Sequence, residues 1–153
     1  MDLTFEIHAK IQKPVAEVFD AVCSPVKLSR YFTTGGASAP LREGTTVLWS
    51  FADAPEKYRG SNLTFPVQVT KVLTDRLIEL EWGASEGGYT TQVRMKFESL
   101  GPTDTLVSIS ESGWRETPAG LAGSYDNCGG WMQMACCLKA FVEYGINLRQ
   151  GFQ

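Results

Sequence analysis

GGWMQMACCLKAFVEYGINLR, residues 129–149, decides how the rest of the chain is read. Trp131, Met134, Leu138, Phe141 or Val142, and Gly145 recur at three- and four-residue steps. That spacing places them on one face of an α-helix of roughly 20 residues, which at 1.5 Å per residue runs ~30 Å. Such a helix is as long as a small domain. The adjacent Gly129 and Gly130 read as its abrupt start, and Gly145 as a place where the helix bends or a strand comes close. The preceding RETPAGLAGSYDNCGG (115–130) reads as a turn-rich lead-in, with Asp126 and Asn127 as the N-cap pair.

Upstream of the helix the period changes from 3.6 to 2. LTFEIHAKI (3–11) alternates strictly, with Leu3, Phe5, Ile7, Ala9 and Ile11 opposing Thr4, Glu6, His8 and Lys10. That is a half-buried antiparallel strand, and it leaves His8 on the polar face. Pro14 suits a first helical turn before PVAEVFDAVC (14–23), and Ser24-Pro25 supplies a cap and first position for SPVKLSRYF (24–32). Residues 33–45 are a loop by composition. TVLWSFA (46–52), LTFPVQVTKVL (63–73), RLIELEWG (76–83), YTTQVRMKFESL (89–100) and TLVSISESGW (105–114) are five further strands. Pro66 demotes its run to an edge or marks a bulge. Consecutive strands and one long helix imply the α+β class, a six-stranded antiparallel sheet curved around that helix.

The totals set outer limits. A chain of 153 residues suits one domain, spanning 1–153. It can bury ~70% of its unfolded surface and needs neither disulfide nor metal to fold. A net charge of −3 speaks against nucleic acid or an anionic membrane as the main partner. No stretch approaches the ~20 apolar residues of a membrane span, and the N-terminus lacks the order of a signal peptide. A cytoplasmic protein is expected. Cys23 and Cys128 lie far apart, and the adjacent Cys136 and Cys137 point about 100° apart on a helix. All four read as reduced, largely buried thiols, with no spacing suited to zinc.

The Pro14–Phe19 opening, the ESGW of 111–114, the GGW of 129–131 and LKAFVEYGINLR (138–149) resemble the START-like (SRPBCC, birch-pollen-allergen-like) superfamily. Within it they resemble the branch named after the activator of the heat-shock protein 90 ATPase. The resemblance implies the helix-grip fold and a cavity between the curved sheet and the C-terminal helix. In that superfamily the cavity holds apolar molecules and in some members supports catalysis. Co-chaperone activity is not carried over, because the full-length activator has a further N-terminal domain that engages the chaperone.

A binding reading draws on aromatic residues at inward strand positions: Trp49, Phe51, Phe65 and Trp82, faced by Trp131, Met134, Leu138 and Phe141 from the helix. Large flat side chains around a gap line small-molecule pockets, although the same groups also fill cores. Glu111 shares parity with Val107 and Ile109. It either points inward, where a carboxylate becomes an acid or base, or emerges solvated at the sheet's rim, the simpler reading of a strand end. Tyr58 and Arg59 either orient a ligand's polar group or sit on an exposed hairpin. Glu79 and Glu81 share the outer face, opposite Arg94 or Lys96. The chain contains no nucleophile elbow, phosphate loop or dinucleotide fingerprint.

The first expectation is therefore a binder of a small apolar or aromatic molecule that uses no cofactor or metal. The alternatives are a cyclase, dehydratase or hydrolase with Glu111 or Tyr58 as proton donor, and a co-chaperone-like interaction module. A homodimer stays open.

Overall fold

A computed structural model describes residues 1–53 and 63–152. Ten elements follow in order: β1 (Phe5–Ile11), α1 (Val15–Cys23), α2 (Pro25–Leu28), β2 (Gly36–Ala37), β3 (Thr46–Phe51), β4 (Leu63–Leu73), β5 (Leu77–Gly83), β6 (Thr90–Gly101), β7 (Asp104–Ser112) and α3 (Pro118–Tyr144). The strands form one antiparallel sheet in the order β1-β7-β6-β5-β4-β3-β2. This is the α+β helix-grip fold. The sheet has seven strands rather than six, because Gly36 and Ala37, inside the expected loop, pair with Ser50 and Trp49.

Strand parity carries the inner face. Val47 and Trp49, Val67 and Val69, Ile78 and Leu80, Val93, Met95 and Phe97, and Val107 and Ile109 are all buried. The outer face is charged: Arg94 lies opposite Glu79 in register, with Nη2 3.1 Å from Oε1. His8 is exposed there. Pro66 pairs with Leu48 of β3, while the β4–β5 pairing starts at Val67. Pro66 thus sits where β4 has a single neighbour, and its missing donor costs no ladder bond. A register shift falls further along, between Val69 and Lys71.

α2 is capped as expected, with Ser24 accepting from Lys27 N at 3.3 Å and Pro25 at the first position. It ends at Leu28, and residues 29–32 continue as turns. Those turns bury Tyr31, whose hydroxyl donates to Ala21 O at 2.9 Å, and Phe32.

The C-terminal helix corrects the sequence reading most. It is 27 residues long and starts at Pro118, eleven positions before Gly129. Thr117 is the N-cap, accepting from Gly120 N at 2.9 Å, with Pro118 at the first position. Asp126 and Asn127 therefore lie inside the helix and cap nothing. The glycines that read as turns belong to helical packing: a Cβ on Gly120 would meet the Arg115 carbonyl oxygen at 2.0 Å, and one on Gly123 would meet Ser85 Oγ at 2.9 Å. These glycines admit neighbouring chain rather than break the helix. Gly145 neither bends the helix nor admits a strand. It closes α3 in the left-handed conformation at φ 68°, with its N–H donating to Phe141 O at 2.8 Å.

The helix lies along β1 and α1. Lys139 Nζ donates to Lys10 O at 2.8 Å, and Glu143 accepts from Gln12 N at 3.3 Å. Trp131, Met134, Cys137 and Leu138 enter the core from α3. Among the described residues no helix is long and apolar enough to cross a membrane.

Candidate functional site

Between the middle of α3 and the β3–β5 end of the sheet lies a cleft of ≈ 310 Å³. Phe32, Phe51, Leu63, Phe65, Trp82 and Trp131 form its apolar wall; Asp53, Ser85, Asp126, Asn127, Gln133 and Arg149 are its polar groups. The aromatic side chains are in mutual contact. Trp82 and Trp131 lie 5.4 Å apart between ring centroids, Phe65 and Trp82 6.1 Å, Phe51 and Phe65 5.9 Å, and Phe32 and Phe51 5.1 Å. These are the separations of offset or edge-on ring pairs.

Behind that wall sits Glu111, 1% exposed. Inward parity on β7 carries it into the interior instead of to the rim, which corrects the solvated reading. Its carboxylate accepts from four side chains on three elements. Trp131 Nε1 reaches Oε1 at 2.7 Å, while Thr91 Oγ1 and Trp82 Nε1 reach Oε2 at 2.6 and 3.0 Å. Asn127 Nδ2 lies 3.1 Å from both oxygens. The arrangement follows from local geometry. Trp82 and Thr91 are opposite each other in the β5–β6 register, and Asn127 and Trp131 are one helical turn apart on one face of α3. A single carboxylate therefore ties the sheet to the helix and fixes both indoles.

The opposite side of the cleft is held by a charge pair. Arg149, in the turn after α3 and only 9% exposed, places Nε 2.6 Å from Asp53 Oδ2 and Nη2 3.2 Å from Oδ1. Its guanidinium lies 5.4 Å from the centre of the Phe51 ring and 5.7 Å from that of Phe32. Burial works to raise the pKa of Asp53. Hydrogen bonds from Arg149 and Thr34 and the guanidinium charge outweigh it and hold the carboxyl below its ordinary value. Two buried polar atoms are left without a hydrogen-bond partner among the described residues: Gln133 Nε2 at the cleft and Trp49 Nε1 in the core.

The residues expected to bind ligand divide into groups. Phe51, Phe65, Trp82 and Trp131 line the cleft. Glu111 stands one layer behind them. Trp49, Met134 and Leu138 are fully buried in the core, and Phe141 stacks on Tyr31 at 5.4 Å, away from the cleft lining. Tyr58 and Arg59 lie outside the described residues. Sequence reasoning missed Phe32, Asp53, Asn127, Gln133 and Arg149. The signal for Asn127 was Thr117-Pro118, a cap-and-proline start of the same kind as Ser24-Pro25; placing the helix start there puts Asn127 one turn before Trp131. Asp53 and Arg149 are 96 positions apart and carry no local signal.

Among the described residues no group of three or more His, Cys, Asp or Glu could hold a metal ion. All four cysteines are free, and burial pushes the Cys23 thiol up to about 12.

A family model described as activator of Hsp90 ATPase homolog 1-like protein matches residues 12–143. The chain belongs to this family. It is a START-like protein of the branch that its sequence resembles. No curated protein matches it. Among solved structures it is similar to DynU16, from the dynemicin biosynthetic locus, at 21% identity and a TM-score of 0.77. That match covers 96% of this chain and 49% of the other, so the chain spans about half of DynU16. It is also similar to SSP2350 from Staphylococcus saprophyticus (22% identity, TM-score 0.73, 97% and 96% covered). The Aha1 dimer from Colwellia psychrerythraea is a third such structure (19%, 0.73, 93% and 97%). At these identities the structures establish the fold alone, and it is START-like.

Proposed function

We propose that this Hsp90-activator-like chain, one domain over 1–153, binds a small apolar or aromatic molecule in the cleft between α3 and the β3–β5 end of the sheet. The observation that carries the reading is the ≈ 310 Å³ cleft walled by Phe51, Phe65, Trp82 and Trp131, with Gln133 Nε2, buried and without a partner among the described residues, at its lining. Ligand sites of this kind occupy about 300–1,000 Å³ and combine apolar walls with a few orienting polar groups. An unmade hydrogen bond on a buried amide costs ~1–3 kcal/mol, which a ligand oxygen accepting from Gln133 recovers. Glu111 acts by positioning: its four donors support a role in holding Trp82, Trp131 and Asn127 rather than in moving a proton. Reduced thiols and the absence of a long apolar helix fit a cytoplasmic protein. The dimer described for the Colwellia relative makes a homodimer the assembly to test.

Native mass spectrometry of the purified protein, followed by denaturation and identification of what is released, tests the reading. A co-purifying apolar molecule, displaced by Trp131→Ala but not by Val26→Ala on the exposed surface, supports it. A chain that stays empty against a panel of aromatics and lipids overturns it.

A further inference from the structure

We infer that the molecule held in this cleft carries a positive charge, as an alkylammonium or amine group on a compact apolar or aromatic body; the inference rests on the binding reading above. Phe32, Phe51, Phe65, Trp82 and Trp131 surround the cleft. Aromatic ring faces are electronegative, so several rings around one space recognise ammonium groups, tryptophan most strongly. Here both tryptophans are polarised further in the same direction. Each donates its indole N–H to Glu111, at 3.0 and 2.7 Å. An anion at the positive edge of an indole drives electron density toward the ring face, and both indoles line the cleft.

The charges around the cleft point the same way. Among the described residues Asp53 and Asp126 line it, with Glu111 directly behind, against the single guanidinium of Arg149. Arg149 is already engaged through two nitrogens with Asp53, whereas no described lysine or arginine forms an ion pair with Glu111. A buried carboxylate with hydrogen bonds but no counter-ion leaves a negative potential in a medium of low dielectric. The protein's own use of its rings agrees: the guanidinium of Arg149 is seated over Phe32 and Phe51. An anionic ligand would face Asp126 and Glu111, and among the described residues the one cation lining the cleft, Arg149, is occupied.

The test compares phenyltrimethylammonium with its neutral isostere tert-butylbenzene and with benzoate, titrated at low salt and followed by tryptophan fluorescence. The expected result is that the cation binds at least about tenfold more tightly than the isostere and that benzoate does not bind. Asp126 is exposed on α3, so Asp126→Asn should leave folding intact, weaken the cation several-fold and leave the isostere unchanged. Equal or tighter binding of tert-butylbenzene, or binding of benzoate, overturns the inference while leaving the binding reading in place. Equal effects of Asp126→Asn on both probes overturn it as well. Failure of all three probes, together with an empty chain in native mass spectrometry, overturns both.

Discussion

The two halves of α3 face the same curved sheet and end in opposite conditions. From Met134 to Leu138 the helix enters the core, where Met134, Ala135, Cys137 and Leu138 are fully buried. From Asp126 to Gln133 it passes over a cleft and carries two glycines, two amides and an acid. Apolar volume supports the first half. In the second half, one carboxylate, Glu111, draws strand and helix together, holding the buried Trp131 and the half-buried Trp82. A helix can therefore serve as core and wall together, provided something other than packing holds the wall.

Removing that support should have the largest effect. Glu111→Leu leaves two indole N–H groups, an amide and a hydroxyl short of an acceptor, and is expected to cost ~3–5 kcal/mol in urea unfolding. A loss under ~1 kcal/mol would show that packing holds the wall as it holds the other half. Leu138→Ala in the core half should cost ~2–5 kcal/mol and leave probe affinity unchanged in the fraction that folds. Phe65→Ala sharpens the contrast. With Phe65 38% exposed, the stability cost should stay near ~1 kcal/mol, while probe binding falls. If both substitutions act equally on stability and binding, the halves are not distinct.

A smaller effect is expected at the Asp53–Arg149 pair. Asp53 is partly open to solvent but Arg149 is buried, so Asp53→Asn, which leaves the guanidinium short of its anion, should cost about 1–2 kcal/mol. Because the Asp53 pKa is lowered in the folded state, its contribution is complete above the ordinary carboxylate pKa and is lost as pH falls through the folded value. Stability of the wild type minus that of Asp53→Asn, measured from pH 7 downward, should shrink only in that acidic window. The smallest effect belongs to the glycines. Gly129 and Gly130 lie inside a helix with open space where a Cβ would sit, so either changed to Ala should stabilise by ~0.5–1 kcal/mol. Gly130 lines the cleft and Gly129 does not; Gly130→Ala alone should weaken probe binding.

Particular residues show how far the sequence could be read. Val107, Ile109 and Glu111 share a face because side chains alternate along any strand, so the inward parity of Glu111 was visible. Its burial was not. An isolated carboxylate is stable inside only if donors meet it, and those donors come from positions 82, 91, 127 and 131. The start of α3 was misread for the opposite reason: glycine is a local breaker by propensity, and its value at Gly120 and Gly123 lies in contacts with Arg115 and Ser85 that local pattern does not contain.

By itself the sequence determined the α+β class, the inner and outer faces of the six long strands, the apolar stripe of the last helix and the resemblance to the START-like superfamily. All of these follow from periodicity and from short motifs, which are local in the chain. Only the tertiary structure decided which aromatic side chains fill the core and which line the cleft, and that Glu111 is satisfied and Gln133 is not. It also brought Asp53 to Arg149. Those outcomes depend on volume and hydrogen-bond partners supplied from distant positions, and a residue's own neighbours in sequence do not specify them.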